Sequence, residues 1–485
     1  MLRHLPRRLA RGATIISVVA LWVVFVFGCA TVRPAPEAEP PEEAAPEEEP
    51  ADPVLTVPEA YDAISLSVQA GNPEEAIAAY ERAQLEDPDD PTTQALLANL
   101  YLVAGEVGEA NAIIAAVLAT DPDNTEALFL QALIRGAEGD EGAQKTILER
   151  ILQIDGSHAR ARATLAELQV QDRSYRAAAE NFRQALENEP DNLVARVGLG
   201  NVYLRRKEYE LAEEELSEAI DLAPQYDFAY SDRARARAMQ YELGGAERDL
   251  TAAIELAPDY YWHHIDRGRV RLERRRLQGA EEDFSRALDL NEELFLAWAL
   301  RAQARDAQDD FANALADYEA ALDRRPDYEP AFAPIGVLYY LTGEYDEAFD
   351  FISRAYDTDE RRYELALLAA LALKTGNRER EARDYLNEIV NTAPRDSLAY
   401  QMMRYYIQPA NEGLVMTAVR DSTDRTRKGQ MYFYLGAQLE LLGRIQTAQA
   451  AFLEAEEILQ PGFAEHRLAT WRLRAYRSEE EGTSE

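Results

Sequence analysis

The sequence predicts an all-α chain made of a stacked array of near-identical helix-turn-helix units. Three observations carry this. Alanine recurs every 34 residues, at Ala178, Ala212, Ala246, Ala280, Ala314, Ala348 and Ala382, and stepping back by the same interval gives Gln144, Ala110 and Ala76. A proline stands twelve residues after most of these positions, at Pro88, Pro122, Pro190, Pro224, Pro258, Pro326 and Pro394. Small and apolar residues precede each alanine at helical spacing, as in Leu199, Gly200 and Tyr203, or Ile335, Gly336 and Tyr339. Self-similarity of this kind, without insertion or deletion, means that each unit buries its apolar face on the next.

Each unit reads as two helices. The first ends in a loop marked by Gly or an aromatic residue, such as Gly105, Tyr209, Gly343 and Tyr345. The alanine opens the second helix, whose apolar positions follow four and seven residues on: Leu216 and Ala219, Phe284 and Ala287, Tyr318 and Ala321. Proline ends that helix, because it lacks an N–H and disfavours helical dihedrals in the residue before it. Two helices cross closely only where neither carries bulk, so Gly200 is expected to face Ala212, Gly268 to face Ala280, and Gly336 to face Ala348.

At these residues the chain resembles the tetratricopeptide repeat family. Trp298 and Tyr230 fill the Trp place of that motif; Leu97, Leu199 and Leu435 fill the Leu place; Gly200, Gly268, Gly336 and Gly436 fill the Gly place. The resemblance implies a right-handed superhelical solenoid of about twelve repeats over residues 57–460. A capping helix is expected at 461–478 and a disordered tail at 479–485. Two stretches depart from the pattern. Residues 125–158 carry Gln144 for Ala and Gly156 for Pro, and residues 397–428 carry Arg404 and Met416 at the small positions. The register resumes two residues short, at Gly436 and Ala448.

The N-terminus is a different object. Residues 1–11 hold four arginines and no acid, residues 14–28 are almost wholly apolar, and Cys29, the one cysteine of the chain, follows directly. A basic segment, an apolar run and a small residue before Cys resemble a bacterial lipoprotein signal peptide over residues 1–28. The resemblance implies acylation of Cys29 and insertion of its chains into a lipid bilayer. Ala30 next to it, rather than Asp, implies the outer membrane with the repeats in the periplasm. The alternative is an uncleaved inner-membrane anchor over 13–32, which is long enough to span. Both readings put the repeats outside the inner membrane, since the flanking arginines stay cytoplasmic.

The rest of residues 29–56 is a linker rich in Pro, Glu and Ala, with almost no core-forming residues. Such a segment cannot offset its ordering entropy and is expected to be disordered. In an extended polyproline-like form it reaches on the order of 80 Å, which would hold the repeats away from the membrane.

The chain has 51 basic and 88 acidic residues, a net charge of −37. A nucleic-acid partner needs a basic face and is excluded as a class. One basic cluster stands against this acidity. Arg233, Arg267 and Arg301 replace the usual Leu of the first helix, and sixteen residues after each stands Asp249, Asp283 or Asp317. Units with an apolar residue at the first place lack Asp at the second, as Leu97 with Ile113, Leu199 with Glu215 and Ile335 with Phe351. This internal covariation reads as Arg–Asp ion pairs between the two helices of one unit.

Arg235 and Arg269 lie at a place that, by the family resemblance, faces the concave groove. Phe228 and Trp262 point the same way, and Asn201, Arg205 and Gln303 hold related places. An Arg and aromatic groove suits an extended peptide with acidic groups. The competing reading pairs Arg235 with Asp232 and Arg269 with Asp266, and makes Trp262 a packing residue. Of the family's carboxylate-clamp positions only Asn201 matches.

Catalytic and metal constellations are not found in the sequence. His158, His263, His264 and His466 are scattered, no His/Cys/carboxylate cluster has metal-ligand spacing, and no cofactor motif occurs. Acids such as Glu213 to Glu215 and Glu281 to Asp283 are expected to be solvated. The repeats use up the chain, so the expectation is a non-enzyme: a membrane-tethered scaffold or adaptor that binds an envelope protein or peptide. The alternative is a component that holds a glycan or another small molecule.

Overall fold

A computed structural model describes residues 57–83, 90–410 and 412–482. Every regular element among them is helical. Residues 1–56, with the signal segment, Cys29 and the linker, lie outside the described residues. Among the described residues no helix is long and apolar enough to cross a membrane.

Among the described residues the helices form, in chain order, twelve successive pairs and a terminal helix, Ala464–Gly482. They divide into two compact units, Met1–Tyr241 and Glu242–Glu485. The first holds five helix pairs, from Val57–Gln69 to Tyr209–Leu222, and then Asp227–Met239. The second begins with Leu243–Leu256, continues through six pairs to Ile445–Ile458, and closes with the terminal helix. That last helix runs to Gly482, into the stretch expected to be a disordered tail.

Local chemistry explains where the helices begin. In several pairs a polar residue caps the first helix, whereas Tyr226, Tyr260 and Leu294 at the same place make no side-chain cap bond. Asn124 accepts from the Ala127 N–H at 3.0 Å, Asn192 from Ala195 at 3.0 Å, and the buried His158 from Ala161 through Nδ1 at 3.2 Å. The turn inside each pair has its own period. Gly71, Gly105, Gly139, Arg173, Lys207, Tyr241, Arg275, Asp309, Gly343 and Asn377 all have positive φ, and Gly443 resumes the series after the divergent region. One left-handed residue per turn redirects the chain where the first helix closes. It is imposed even where the residue is not glycine.

The packing alanines, from Ala76 to Ala448, are fully buried. Gly336 faces Ala348 as expected, and the small glycines also make room for a further neighbour. A Cβ on Gly200 would lie 2.7 Å from Leu216, one on Gly268 2.5 Å from Phe284, and one on Gly336 2.4 Å from Ile352. These residues stand sixteen positions on, one turn beyond the alanine. The alanine keeps the backbones close, and the glycine receives the large side chain of the following turn. Gly136 does the same for Gln144, whose side chain would sit 2.5 Å from an added Cβ. The departure at Gln144 is thereby absorbed by a glycine across the pair. At Gly336 a Cβ would also lie 3.1 Å from the Ile352 nitrogen and 3.2 Å from the Ala348 oxygen, backbone atoms that cannot swing aside. Gly336→Ala is therefore expected to destabilise the second unit by about 1–3 kcal/mol in chemical denaturation, although alanine favours helix. A variant as stable as the parent would refute this close approach.

The divergent region packs by other means. Arg404 and Met416 sit outward, while Met402, Met403, Tyr405 and Tyr406 fill the core. The Tyr406 hydroxyl donates to the Tyr434 carbonyl at 2.8 Å, and the buried Tyr434 hydroxyl bonds the Glu364 carbonyl at 2.7 Å. Helix Arg425–Leu441 is thus tied back to helix Tyr363–Thr375. Leu468, Ala469, Leu473 and Tyr476 of the terminal helix complete the same core, so that helix covers the apolar face of the last pair.

Candidate partner-binding residues and the arginine ladder

In the second unit, first helices carry Arg267 and Arg271 on Tyr261–Glu273, and Arg301 and Arg305 on Phe295–Asp306. Arg267 forks onto Asp283, with Nη2 donating to Oδ1 at 2.7 Å and Nε at 3.1 Å. Arg301 forks onto Asp317 with two bonds of 2.8 Å. Each aspartate takes a second arginine: Arg271 on Asp283 at 2.9 Å and Arg305 on Asp317 at 2.8 Å. Asp283 and Asp317 are only 2 % exposed. Burial works to raise the Asp283 carboxyl, but the His264 ring 3.9 Å away, the hydrogen bonds from Arg267 and the charges of Arg267 and Arg271 outweigh it, holding it below the ordinary value. The third expected pair is divided between the units. Arg233 belongs to the first, where it donates to the Ser217 hydroxyl at 3.1 Å, and Asp249 is buried in the second.

A second set of contacts was not legible in the sequence. Glu247 accepts from Arg271 of the next pair at 3.0 Å and also holds Arg274 and Arg276. Glu281 accepts from Arg305 and Gln308 at 2.8 and 2.9 Å. Within the first unit Glu213 accepts from Arg237 and Gln240, both at 2.8 Å. These glutamates follow the packing alanine directly, and their partners stand 24 and 27 residues on. Together the bonds form a ladder in which arginine alternates between its own pair's aspartate and the preceding pair's glutamate. The expectation that Glu213, Glu281 and Asp283 are solvated is therefore corrected. Burial opposes ionisation of Glu213, Glu247 and Glu281, yet the guanidinium partners keep all three below the ordinary carboxylate value. A spacing recurring at 24 residues was the signal that could have found them.

The residues read as a partner groove are divided between the units and are described separately. In the first unit Asn201 donates to Asp232 at 2.8 Å, and Arg235 pairs with the same carboxylate at 3.0 Å. Arg235 keeps 56 % of its side chain exposed. Phe228 is 41 % exposed, and Arg205 is exposed on the same series of first helices. In the second unit Trp262 is partly buried against the core and contacts the Tyr261 ring. Arg269 is exposed and makes no ion pair among the described residues, and Gln303 is exposed. The pairing of Arg235 with Asp232 is formed; no ion pair joins Arg269 to Asp266. Trp298, at the Trp place of the motif, is a packing residue held between Arg301 and Arg324, whose guanidinium carbons lie 4.8 and 4.9 Å from the ring centroid. His263 and His264 are buried, and the His264 Nε2 lies 3.0 Å from the Pro258 carbonyl oxygen. Among the described residues no group of three or more His, Cys, Asp or Glu is arranged to hold a metal ion.

One tetratricopeptide repeat model matches residues 67–134, and a second matches 163–227 and 299–364. The chain carries tetratricopeptide repeats. No curated protein matches the sequence. Solved structures similar to it include PilF of Pseudomonas aeruginosa, at 20 % identity over 42 % of this chain and 92 % of that one, with a TM-score of 0.38. A tetratricopeptide repeat protein of Parabacteroides merdae is 19 % identical over 51 % of this chain and 98 % of its own, with a TM-score of 0.34. MamA of Desulfovibrio magneticus is 18 % identical over 35 % and 96 %, with a TM-score of 0.33. Tetratricopeptide repeats bind protein or peptide partners and generally act as non-enzymatic scaffolds, and protein binding is the coarse function of this chain.

Proposed function

We propose that this protein is a lipid-tethered tetratricopeptide scaffold of a bacterial cell envelope, which binds an extended segment of a partner protein along its first helices. The observation that carries the binding role is the division of the arginines. The ladder consumes Arg237, Arg267, Arg271, Arg301 and Arg305 internally, whereas Arg235 and Arg269 remain at the surface of their units, with Phe228 exposed in the first. Exposed guanidinium and aromatic groups at recurring positions suit a peptide with carboxylates. Rigid stacked helices limit the entropy lost on binding. The glycan alternative draws on Trp262 as a stacking platform, and its partial burial in the core weakens that reading. The envelope location rests on the sequence of residues 1–29 alone: arginines, an apolar run and Cys29.

Two experiments test the parts separately. Crosslinking in cells, with affinity capture, compares the parent with a folded Arg235→Ala, Trp262→Ala, Arg269→Ala variant. A partner lost from the variant supports the first-helix surface, and identical partners on both reject it. A Cys29→Ser protein is expected to lose acylation and accumulate as precursor. Normal processing and membrane fractionation of that variant would reject the lipid anchor.

A further inference from the structure

A second, unrelated surface feature lies in the first unit, at the turn of the fourth helix pair, Ala159–Gln171 with Tyr175–Asn188. A cleft of about 850 Å³ opens there, lined by Arg173, Arg176, Arg183, Arg206, Tyr175 and one acid, Glu180. It lies two repeats before a smaller cleft of about 430 Å³ in the second unit, lined by Glu247, Arg274 and Arg276. The two clefts are register equivalents: Arg206 corresponds to Arg274, and Arg183 to Thr251. They differ in charge for a visible reason. In the second unit Glu247 follows the packing alanine and binds the arginines around it. In the fourth pair that place is Ala179, so the rung carboxylate is missing: four arginines line this cleft with one acid, Glu180, where Arg248, Arg274 and Arg276 line the other with Glu247 and Glu255.

Two of the four arginines of this cleft are left without a counter-charge. Arg173 and Arg176 are exposed, and their side chains make no ion pair or hydrogen bond among the described residues. Arg183 is held in place by the Tyr203 hydroxyl, to which Nη2 and Nε donate at 2.9 and 3.2 Å, while Glu180 stands off at 3.6 Å. Arg206 has Glu208 at 2.8 Å. The helix that opens into the cleft has no acid in its first turn, and its Ser174 makes no side-chain cap bond. Its positive end therefore adds to the arginines instead of being offset. In a chain of net charge −37, four guanidinium groups facing two carboxylates, Glu180 and Glu208, mark a local reversal of sign.

We propose that this cleft is a second docking site, which binds a Glu- or Asp-rich segment of a partner protein through Arg173, Arg176, Arg183 and Arg206. The guanidinium forks match carboxylates in pairs, and the volume accommodates several side chains instead of a single small anion. The acidity of the surrounding chain disfavours a nucleic acid or an anionic membrane, which would have to approach a large negative surface to reach one cleft. A flexible acidic segment reaches it alone.

The test uses the full-length protein in detergent and a fluorescein-labelled decaglutamate peptide, followed by anisotropy in low-salt buffer. The expected result is saturable binding that weakens about ten-fold or more in an Arg173→Glu, Arg176→Glu variant. An Arg380→Glu control, at an exposed arginine of the second unit, is expected to bind as the parent does. Because Arg173 and Arg176 have no partners in the fold, the double variant should melt with the parent, and circular dichroism checks this. Equal binding by parent and double variant overturns the proposal. So does competition by inorganic phosphate at the peptide's own affinity, which would make the cleft a small-anion site.

Discussion

Asp283→Ala is expected to destabilise the second unit by about 3–5 kcal/mol, because removing one partner of a buried ion pair strands the other. Asp283 is 2 % exposed and serves two guanidinium groups at once, Arg267 and Arg271, whose side chains are 15 and 20 % exposed. Without Asp283, Arg271 keeps Glu247 at 3.0 Å, while Arg267 is left with the Thr251 hydroxyl at 3.3 Å, so the loss falls mainly on Arg267. Asp283→Asn keeps the shape and removes the charge, so it should fall between Ala and the parent. The effect also depends on pH. The folded carboxyl is held below its ordinary value, so its contribution is complete above the unfolded value, near pH 4, and is lost as pH falls through the folded one. Unfolding by urea at pH 7 and at pH 3 checks both statements. The gap between parent and Asp283→Ala should be wide at pH 7 and shrink at pH 3. Because a repeat array need not unfold in one step, hydrogen exchange in helices Tyr261–Glu273 and Leu277–Leu290 is the local readout. Unchanged protection there would mean that the ladder is decorative.

Glu167→Gln is expected to have the opposite sign. Glu167 lies on helix Ala159–Gln171, in register with Asn201 and Arg235 on the following first helices. Burial alone pushes its carboxyl up from 4.5 to about 7, and it has no ion pair among the described residues. A carboxyl raised in the fold is tolerated as the neutral acid. Its penalty is absent below pH 4.5, grows as pH rises toward 7, and is complete above that. Glutamine removes the charge and keeps the shape, so the variant should be more stable than the parent by about 2–3 kcal/mol at pH 8, with the two converging near pH 4. Parallel stability curves across that range would show that Glu167 is hydrated in the fold.

The particular residues show where sequence reasoning reached and where it stopped. The 34-residue alanine register and the prolines twelve residues later gave the helix pairs, because a strict period is a property of the chain and survives any packing. The coupling of Arg267 with Asp283 and of Arg301 with Asp317 was legible for the same reason: the chain varies against itself sixteen residues apart. The large neighbour of Gly200 was not legible. Spacing identified two small residues on facing helices, but the crossing geometry decides that Leu216, one turn on, fills the notch. The rungs from Glu213, Glu247 and Glu281 escaped notice because their partners belong to the next pair, and side-chain reach between pairs depends on how the pairs stack.

The sequence by itself determined the helix pairs, their number, their common register and the intra-pair salt bridges, because each follows from local propensity or from a spacing repeated along one chain. Only the tertiary structure decided which arginines are spent and which are left. A guanidinium is neutralised or exposed according to the carboxylates that packing brings within about 3 Å, and that distance is set by helix stacking. At the fourth pair the difference is a single small side chain, Ala179, where the ladder elsewhere has glutamate.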